Sequence, residues 1–375
     1  MADIVIVGGG FAGVWAAMSA VRLCRQAGGM LTVDLVSPTP DLVVRPRLYE
    51  ADPRGMTVPL DDVLRPIGVT RRQGEVVNVD SDRHTLGIRD QNELPYRKLI
   101  VASGSTVRRP SIPGAEYLHD VDSLAGAVAL EEHLKTQPMS TVVVVGSGFT
   151  GIEVACELAD RARVMLVERS DLVAPDLGVE VRAVVESALA ELGVEVRTGA
   201  SVVEVEPDRV RLSDGSAISA GTVVWCAGVV ASPLVEHVPG VVEGGRLWVD
   251  RHLRASGDVF AAGDVASADA GSGKRTLPSC QHAIPMGKHA GHNAAAELHG
   301  LPLKEFAAEP YATCLDLGGA GAVFSMGWDR AVRTSGGEAK ALKQTINRDR
   351  IYPPTGDVSA ILAGGDPAWT WVRPS

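Results

Sequence analysis

Apolar residues gather along this chain in short continuous blocks rather than in strict alternation. The first block, Ile4–Val7, runs into glycines at 8, 10 and 13, and an alanine-rich stretch of helical spacing follows. That pattern predicts a buried strand, a tight turn and a helix. The block in "TVVVVGSGFTGIEVACELA" repeats the unit about 138 residues later, with glycines at 146, 148 and 151. Further strand blocks stand in "LTVDLVS", "ARVMLVERS", "KLIVASGS", "TVVWCAGV" and "SGDVFAAGDVA". After residue 306 the pattern changes: "EPYATCLDLGGAGAVFSMGW" alternates, as antiparallel strands do. One short basic helix and a proline-containing coil are expected beyond it.

Composition narrows the class. The chain has 375 residues, 45% hydrophobic but only 4% aromatic, so its interior must be built from Val, Ala, Leu and Ile, as buried parallel strands flanked by helices are. A net charge of −10 argues against nucleic acid or an anionic bilayer as a non-specific partner. The N-terminus starts directly with a strand and shows no signal-peptide pattern, so a cytoplasmic location is expected. The longest charge-free run, Gly215 to Val235, is broken by Gly, Ser and Pro, and no membrane-spanning helix is expected. Cys24, Cys156, Cys226, Cys280 and Cys314 form no CxxC pair, so they are read as small buried residues rather than zinc ligands or a redox disulfide. His282, His289, His292 and His299 recur at helical spacings without a matching carboxylate set, which makes them a partly buried helix face and not a metal site.

The glycine turns carry the first chemistry. Gly8 permits a tight turn, Gly10 lets a pyrophosphate approach the backbone and Gly13 lets helix pack on strand, with Phe11 and Ala12 between them. Gly146, Gly148, Phe149, Thr150 and Gly151 reproduce the arrangement, so two dinucleotides are implied. The strand after the second turn ends at Glu168, placed to accept hydrogen bonds from an adenosine ribose. Its charge would repel a 2′-phosphate, which favours NADH over NADPH, although Arg169 stands beside it. Ser37 occupies the matching place in the first unit; Asp34 lies on the opposite strand face.

The order of these parts resembles the two-dinucleotide flavoprotein superfamily, with FAD in the first fold and a pyridine nucleotide in the second. Within it the chain is most similar to type II NADH dehydrogenases and their soluble relatives, through "VRPRLYEAD" (44–52), "GIEVACELA", "VVWCAGV" and "SCQHA". The resemblance covers roughly residues 3 to 300. It implies an α/β architecture of two Rossmann-like three-layer domains: an FAD domain of residues 1–112 and 240–305, an NAD(P)H domain of 113–239 inserted into it, and a small α+β region of 306–375. By this resemblance Arg45, Pro46, Val76, Ala102, Ser103, Gly104, Gly263 and Asp264 join the FAD site, with Asp264 on the ribityl chain and Val76 against adenine. Ala227 and Gly228 join the NADH site. Glu153 is either a residue near the nicotinamide or an exposed helix residue favoured by the helix dipole. Arg47 and Tyr49 would cover the flavin's edge.

A reduced nicotinamide passes hydride to a flavin without a protein nucleophile, and no cysteine pair is present for a dithiol relay. Electrons are therefore expected to leave the flavin directly, for a quinone or quinone-like acceptor. The alternatives are a soluble enzyme acting on a specialised organic substrate or a small redox protein, and a nucleotide-sensing protein with incidental turnover. In "PSCQHAIPMG" a helix starts, and Gln281 and His282 are placed nearest the flavin ring. Where the family has a second glutamine pair, this chain has Pro285, which should kink the helix or delay its start, and Met286, an adaptable apolar wall for an altered acceptor side. The family's C-terminal region often carries membrane-anchoring helices. Here Trp369 and Trp371 are candidates for a membrane surface or a homodimer contact, with capping of the chain's own core as the ordinary alternative.

Overall fold

The computed structural model describes residues 2–136 and 140–368. Trp369 and Trp371, and the membrane or dimer role read into them, lie outside the described residues. The chain opens with β1 (Ala2–Val7), α1 (Phe11–Gln26) and β2 (Val33–Ser37), continues to β3 (Thr70–Gln73) and returns through β4 (Leu94–Val101). Both neighbours of β1 run parallel to it: Val7 pairs with Val36 on one side and with Val101 on the other. Ile4, Val5, Ile6 and Leu35 are fully buried, because helices or loops cover both sheet faces.

The chain then leaves this sheet, and its second unit is built alike. It comprises β5 (Thr141–Val145), α2 (Phe149–Leu158), β6 (Arg163–Val167), α3 (Gly178–Glu191), β7 (Glu195–Arg197) and β8 (Thr222–Trp225), with a short strand at Leu118–His119 on the far edge. All the pairings are parallel. In both sheets the chain runs outward from the first strand and then jumps back to its other side. The carboxyl ends of β1/β4 and β5/β8 are therefore topological switch points, where α/β sheets open a crevice for a ligand. An antiparallel ribbon joins the two units: Ser105–Val107 on the way out pairs with Ala231–Val229 on the way back.

Back in the first sheet, β9 (Arg254–Ser256) and β10 (Val259–Ala261) complete the order β9-β10-β4-β1-β2-β3. The helix α4 (Cys280–Leu298) then packs along α1 at backbone distance. A Cβ on Gly287 would stand 2.2 Å from the Ala12 carbonyl oxygen, and one on Gly291 2.0 Å from that of Ala16. Two sequence expectations need correction here. The helix begins at Cys280, ahead of Pro285 and not after it, with Ser279 as its cap accepting from the His282 N–H. Met286 is fully buried in the core cluster that also holds α1 side chains, so it does not stand open as an acceptor wall.

The last region is an antiparallel sheet of β11 (Ala312–Asp316), β12 (Ala322–Met326) and β13 (Ala331–Ser335). Leu315, Leu317 and Val323 from it share a hydrophobic core with α2 and α3. The basic helix follows as α5 (Gly336–Thr345) and widens into a π-turn at Ile346–Arg350. The expected coil beyond it is interrupted by α6 (Val358–Gly364), whose Ile361 is fully buried and whose end meets α1: a Cβ on Gly365 would be 2.7 Å from Met18 backbone carbon. No helix among the described residues is long and apolar enough to cross a membrane.

Candidate functional site

The two switch points carry the same backbone device. Gly8 has φ +115°, and a Cβ there would stand 2.2 Å from the Ala102 carbonyl oxygen; a Cβ on Gly13 would be 1.9 Å from the oxygen of Gly8 itself. Gly146 has φ +101° against Cys226 and Ala227, and Gly151 would place a Cβ 1.8 Å from the Gly146 oxygen. The middle glycines behave differently. Around Gly10 and around Gly148 a Cβ would meet nothing within 4 Å. These are open positions, each the N-cap of a helix (α1 and α2) that no side chain caps. Unpaired N–H groups and the positive end of a helix dipole thus face open space at both turns, which is what a pyrophosphate requires.

Around the first turn the residues tied to FAD by resemblance come together. Gly263, at φ +80°, lies against Ala12: a Cβ on it would be 2.9 Å from the Ala12 Cβ. The Asp264 carboxylate accepts from the Ser105 hydroxyl at 2.6 Å, and the Arg45 guanidinium, 3.7 Å away, also donates to Ser105 at 3.0 Å and to Asp122 at 3.0 Å. Pro46 follows in the same 3-10 turn. Ser103 follows the Ala102 contact and precedes Gly104, which has φ +69°. The Arg45 Nε and the Ser103 Oγ are both buried without a hydrogen-bond partner. Such orphaned atoms are costly unless something satisfies them, so the residues fit a polar dinucleotide laid across this crevice. Ser37 is buried at the end of β2, and Gly74, two residues before Val76, donates its N–H to the Ser37 carbonyl at 3.0 Å. Asp34 is held by Arg72 at 2.5 Å on the other face.

The second turn adds a charge. Glu168 accepts from the Ser147 N–H and hydroxyl, both at 2.8 Å, and from the Ser170 N–H at 2.9 Å. Burial opposes ionisation of this carboxyl, but those hydrogen bonds and Arg169 outweigh it and hold the pKa below the usual 4.5. A carboxylate so fixed presents a negative charge at the end of β6, beside the second turn. Gly228, at φ +98° with open space around it, stands beside the same crevice.

Glu153 is buried, so the exposed-helix alternative falls. Its carboxylate accepts from Lys343 Nζ at 2.7 Å and from the Asp316 N–H at 3.0 Å. Asp316 in turn binds Lys340 and accepts from the Tyr49 hydroxyl at 3.0 Å, and Asn347 donates to that hydroxyl at 3.3 Å and to Glu50 at 3.0 Å. Arg47 pairs with Glu50 at 2.6 Å and donates to the Tyr352 hydroxyl at 2.8 Å. All three regions of the chain meet in this buried polar group. Burial raises the Glu153 pKa above the usual carboxylate value despite Lys343; burial disfavours the Lys343 ammonium, but Glu153 outweighs it and raises that pKa too. Both shifts favour protonated forms.

At the N-terminus of α4, Gln281 is tied to the C-terminal region: its Nε2 donates to the Pro310 carbonyl and its Oε1 accepts from the Ala312 N–H, both at 3.2 Å. His282 is 3% exposed; burial lowers its pKa, and its Nε2 has no partner. Lys343, Asp316, Lys340 and Asn347 were not singled out from the sequence. One signal was there: Lys340, Lys343 and Asn347 follow i, i+3, i+7 spacing, one polar stripe along a helix.

A model of pyridine nucleotide-disulphide oxidoreductases matches residues 2–287. The chain belongs to that family. This family member, an oxidoreductase, is 43% identical over 394 aligned positions to an NADH dehydrogenase-like protein of Mycobacterium tuberculosis, covering 98% of each chain. It is 27% identical to a demethylphylloquinone reductase of Synechocystis, with 86% of each covered. Among solved structures it resembles the covalent putidaredoxin reductase–putidaredoxin complex, with a TM-score of 0.75 at 21% identity, over 97% of this chain and 99% of that one; this likeness is one of fold.

Proposed function

We propose that this chain is an FAD-dependent NADH oxidoreductase that hands electrons from the flavin directly to a small quinone-like acceptor. One observation carries the reading: two glycine turns with open middle positions and uncapped helices, of which only the second has a fixed ribose carboxylate. Bound FAD and NADH supply the redox chemistry: two electrons and a proton leave NADH as hydride, and the two electrons with two protons convert a quinone to a quinol. The family relatives named as an NADH dehydrogenase-like protein and a quinone reductase support the same direction.

The chain's own residues bind and orient. The N–H groups around Gly10 and Gly148 take the pyrophosphates, Asp264 and Ser103 the ribityl side, and Glu168 the NADH ribose. Glu153 and Lys343 hold protons where the three regions meet, while Lys340, 27% exposed at its side chain, links that group to solvent. The cysteines support an exit without a dithiol. All five are free, and burial pushes the thiols of Cys24 and Cys280 up to about 11 and of Cys156 and Cys314 up to about 12, too high to supply thiolate at neutral pH.

Stopped-flow mixing of the yellow protein with NADH under anaerobic conditions tests the proposal. The flavin band should bleach, and 1,4-naphthoquinone should restore it. A colourless protein that takes up no FAD would end this reading.

A further inference from the structure

The turn between β12 and β13, Gly327–Arg330, presents side chains that neither glycine turn uses. Tyr311, Trp328 and His282 lie nearly parallel. The His282 and Tyr311 centroids are 5.0 Å apart at 11°, those of Tyr311 and Trp328 5.2 Å at 14°, and those of His282 and Trp328 6.5 Å at 19°. The Arg330 guanidinium carbon sits 4.5 Å from the Tyr311 centroid, and Arg330 holds φ +59°, a left-handed conformation that costs a non-glycine residue energy. Tyr311 and His282 are buried, while Trp328 keeps part of its ring in solvent.

Two buried polar atoms in this group lack partners: Arg330 Nη1 and His282 Nε2. The His282 Nδ1 lies 3.1 Å from the Leu277 N–H and 3.0 Å from the Leu277 carbonyl oxygen, so the Leu277 backbone engages that side of the ring and Nε2 is the nitrogen left without a partner. Arg330 Nη1 is a donor whichever ring nitrogen of His282 carries the proton. The charges acting on His282 are Arg246, Arg330 and Asp264, and the carboxylate of Asp264 is already engaged by Ser105 and Arg45. Arg246 spends its hydrogen bonds on the carbonyls of Asp264, Ala266 and Thr276, while the Asp264 carboxylate acts on its charge from a distance. Arg246 and Arg330 thus act on His282 against Asp264, and Asp329 adds a carboxylate in the same turn as Trp328 and Arg330.

We propose that Tyr311, Trp328, Arg330 and His282 form the binding site for a planar aromatic acceptor that carries an acidic oxygen. The ring lies against Trp328 and Tyr311, and the oxygen takes the Arg330 Nη1–H beside the unpartnered His282 Nε2. This deepens the oxidoreductase reading and rests on it, since only that reading requires an acceptor.

The test is calorimetric titration of the FAD-loaded protein with naphthalene-2-sulfonate, a permanently anionic ring that cannot be reduced, and with neutral naphthalene-2-methanol. Loss of a hydrogen bond to a charged group is expected to weaken sulfonate binding by roughly tenfold or more in Arg330→Gln. Arg330→Gly, which suits the left-handed backbone, should show the same loss and so separates binding from folding. The neutral ring should bind both Arg330 variants like the parent and weaken in Trp328→Leu. Equal sulfonate binding in parent and both Arg330 variants, or none to the parent, overturns the proposal. So does a loss of NAD⁺ rather than sulfonate affinity in the Arg330 variants, which would assign the guanidinium to dinucleotide phosphate. NADH bleaching on the same preparations keeps the two readings apart: bleaching without sulfonate binding sinks this site alone, and sulfonate binding without bleaching sinks the NADH assignment alone.

Discussion

The turns at Gly8–Gly13 and Gly146–Gly151 share a backbone but exchange their side chains. In the first, Gly9 stands beside Ser37, so close that a Cβ on Gly9 would be 2.8 Å from the Ser37 hydroxyl. In the second, Ser147 stands beside Glu168 and donates to it twice. Glycine with serine in one half has become serine with glutamate in the other. On the proposed assignment, pyrophosphate binding would rest on backbone geometry, which both halves keep, and ribose recognition on a side-chain pair that differs between the halves.

That division can be broken in stages. The largest effect is expected from Gly13→Val or Gly151→Val, where a side chain would overlap a carbonyl oxygen; a loss of at least about 4 kcal/mol should abolish cooperative thermal unfolding followed by circular dichroism. Lys343→Met leaves Glu153 buried without its cation and should cost about 3–5 kcal/mol in urea unfolding, and the Glu153→Gln/Lys343→Met double variant should recover most of it. If the double variant is as unstable as the single one, the pair is not what holds this junction together.

Gly148→Val sharpens the contrast, because its side chain enters open space. Stability should change by less than about 1 kcal/mol and FAD should remain bound, while NADH affinity falls by roughly a hundredfold or more; Gly10→Val should do the reverse. Glu168→Ala is milder, with NADH binding weakened roughly tenfold and discrimination against NADPH relaxed, as read by flavin-reduction titrations. The smallest effect belongs to pH. With the Glu153 pKa raised, its carboxyl stays protonated above the ordinary carboxylate range, so the rate of NADH-driven bleaching should show an ionisation there. Glu153→Gln should lack that ionisation and be otherwise flat.

Both turns were legible in the sequence because each is local: strand, glycines and helix are contiguous, and the spacing alone encodes which glycine meets backbone. Glu168 was legible for the same reason. The Glu153 environment was not, since its partners Lys343 and Asp316 lie 190 and 163 positions away and meet it only when the C-terminal sheet packs on α2. Met286 was misread by the same distance effect. Its place in the α4 sequence suggested the acceptor side, but its side chain is fully buried in the core cluster that includes α1. Pro285 does not delay the start of the helix, because Ser279 caps it ahead of the proline.

The ribbon formed by Ser105–Val107 and Val229–Ala231 has a further consequence. Its two strands are hydrogen-bonded neighbours, so everything between them begins and finishes at one place on the surface of the host sheet. A stretch with adjoining ends can be lifted out and set into another scaffold without dragging its surroundings along. Residues 105–231 begin and finish at such a point, yet they do not come away cleanly: Glu153 is bound to Lys343, and a Cβ on Gly178 would stand 3.3 Å from the Arg330 Cβ, so replacing the stretch would disturb the C-terminal corner as well.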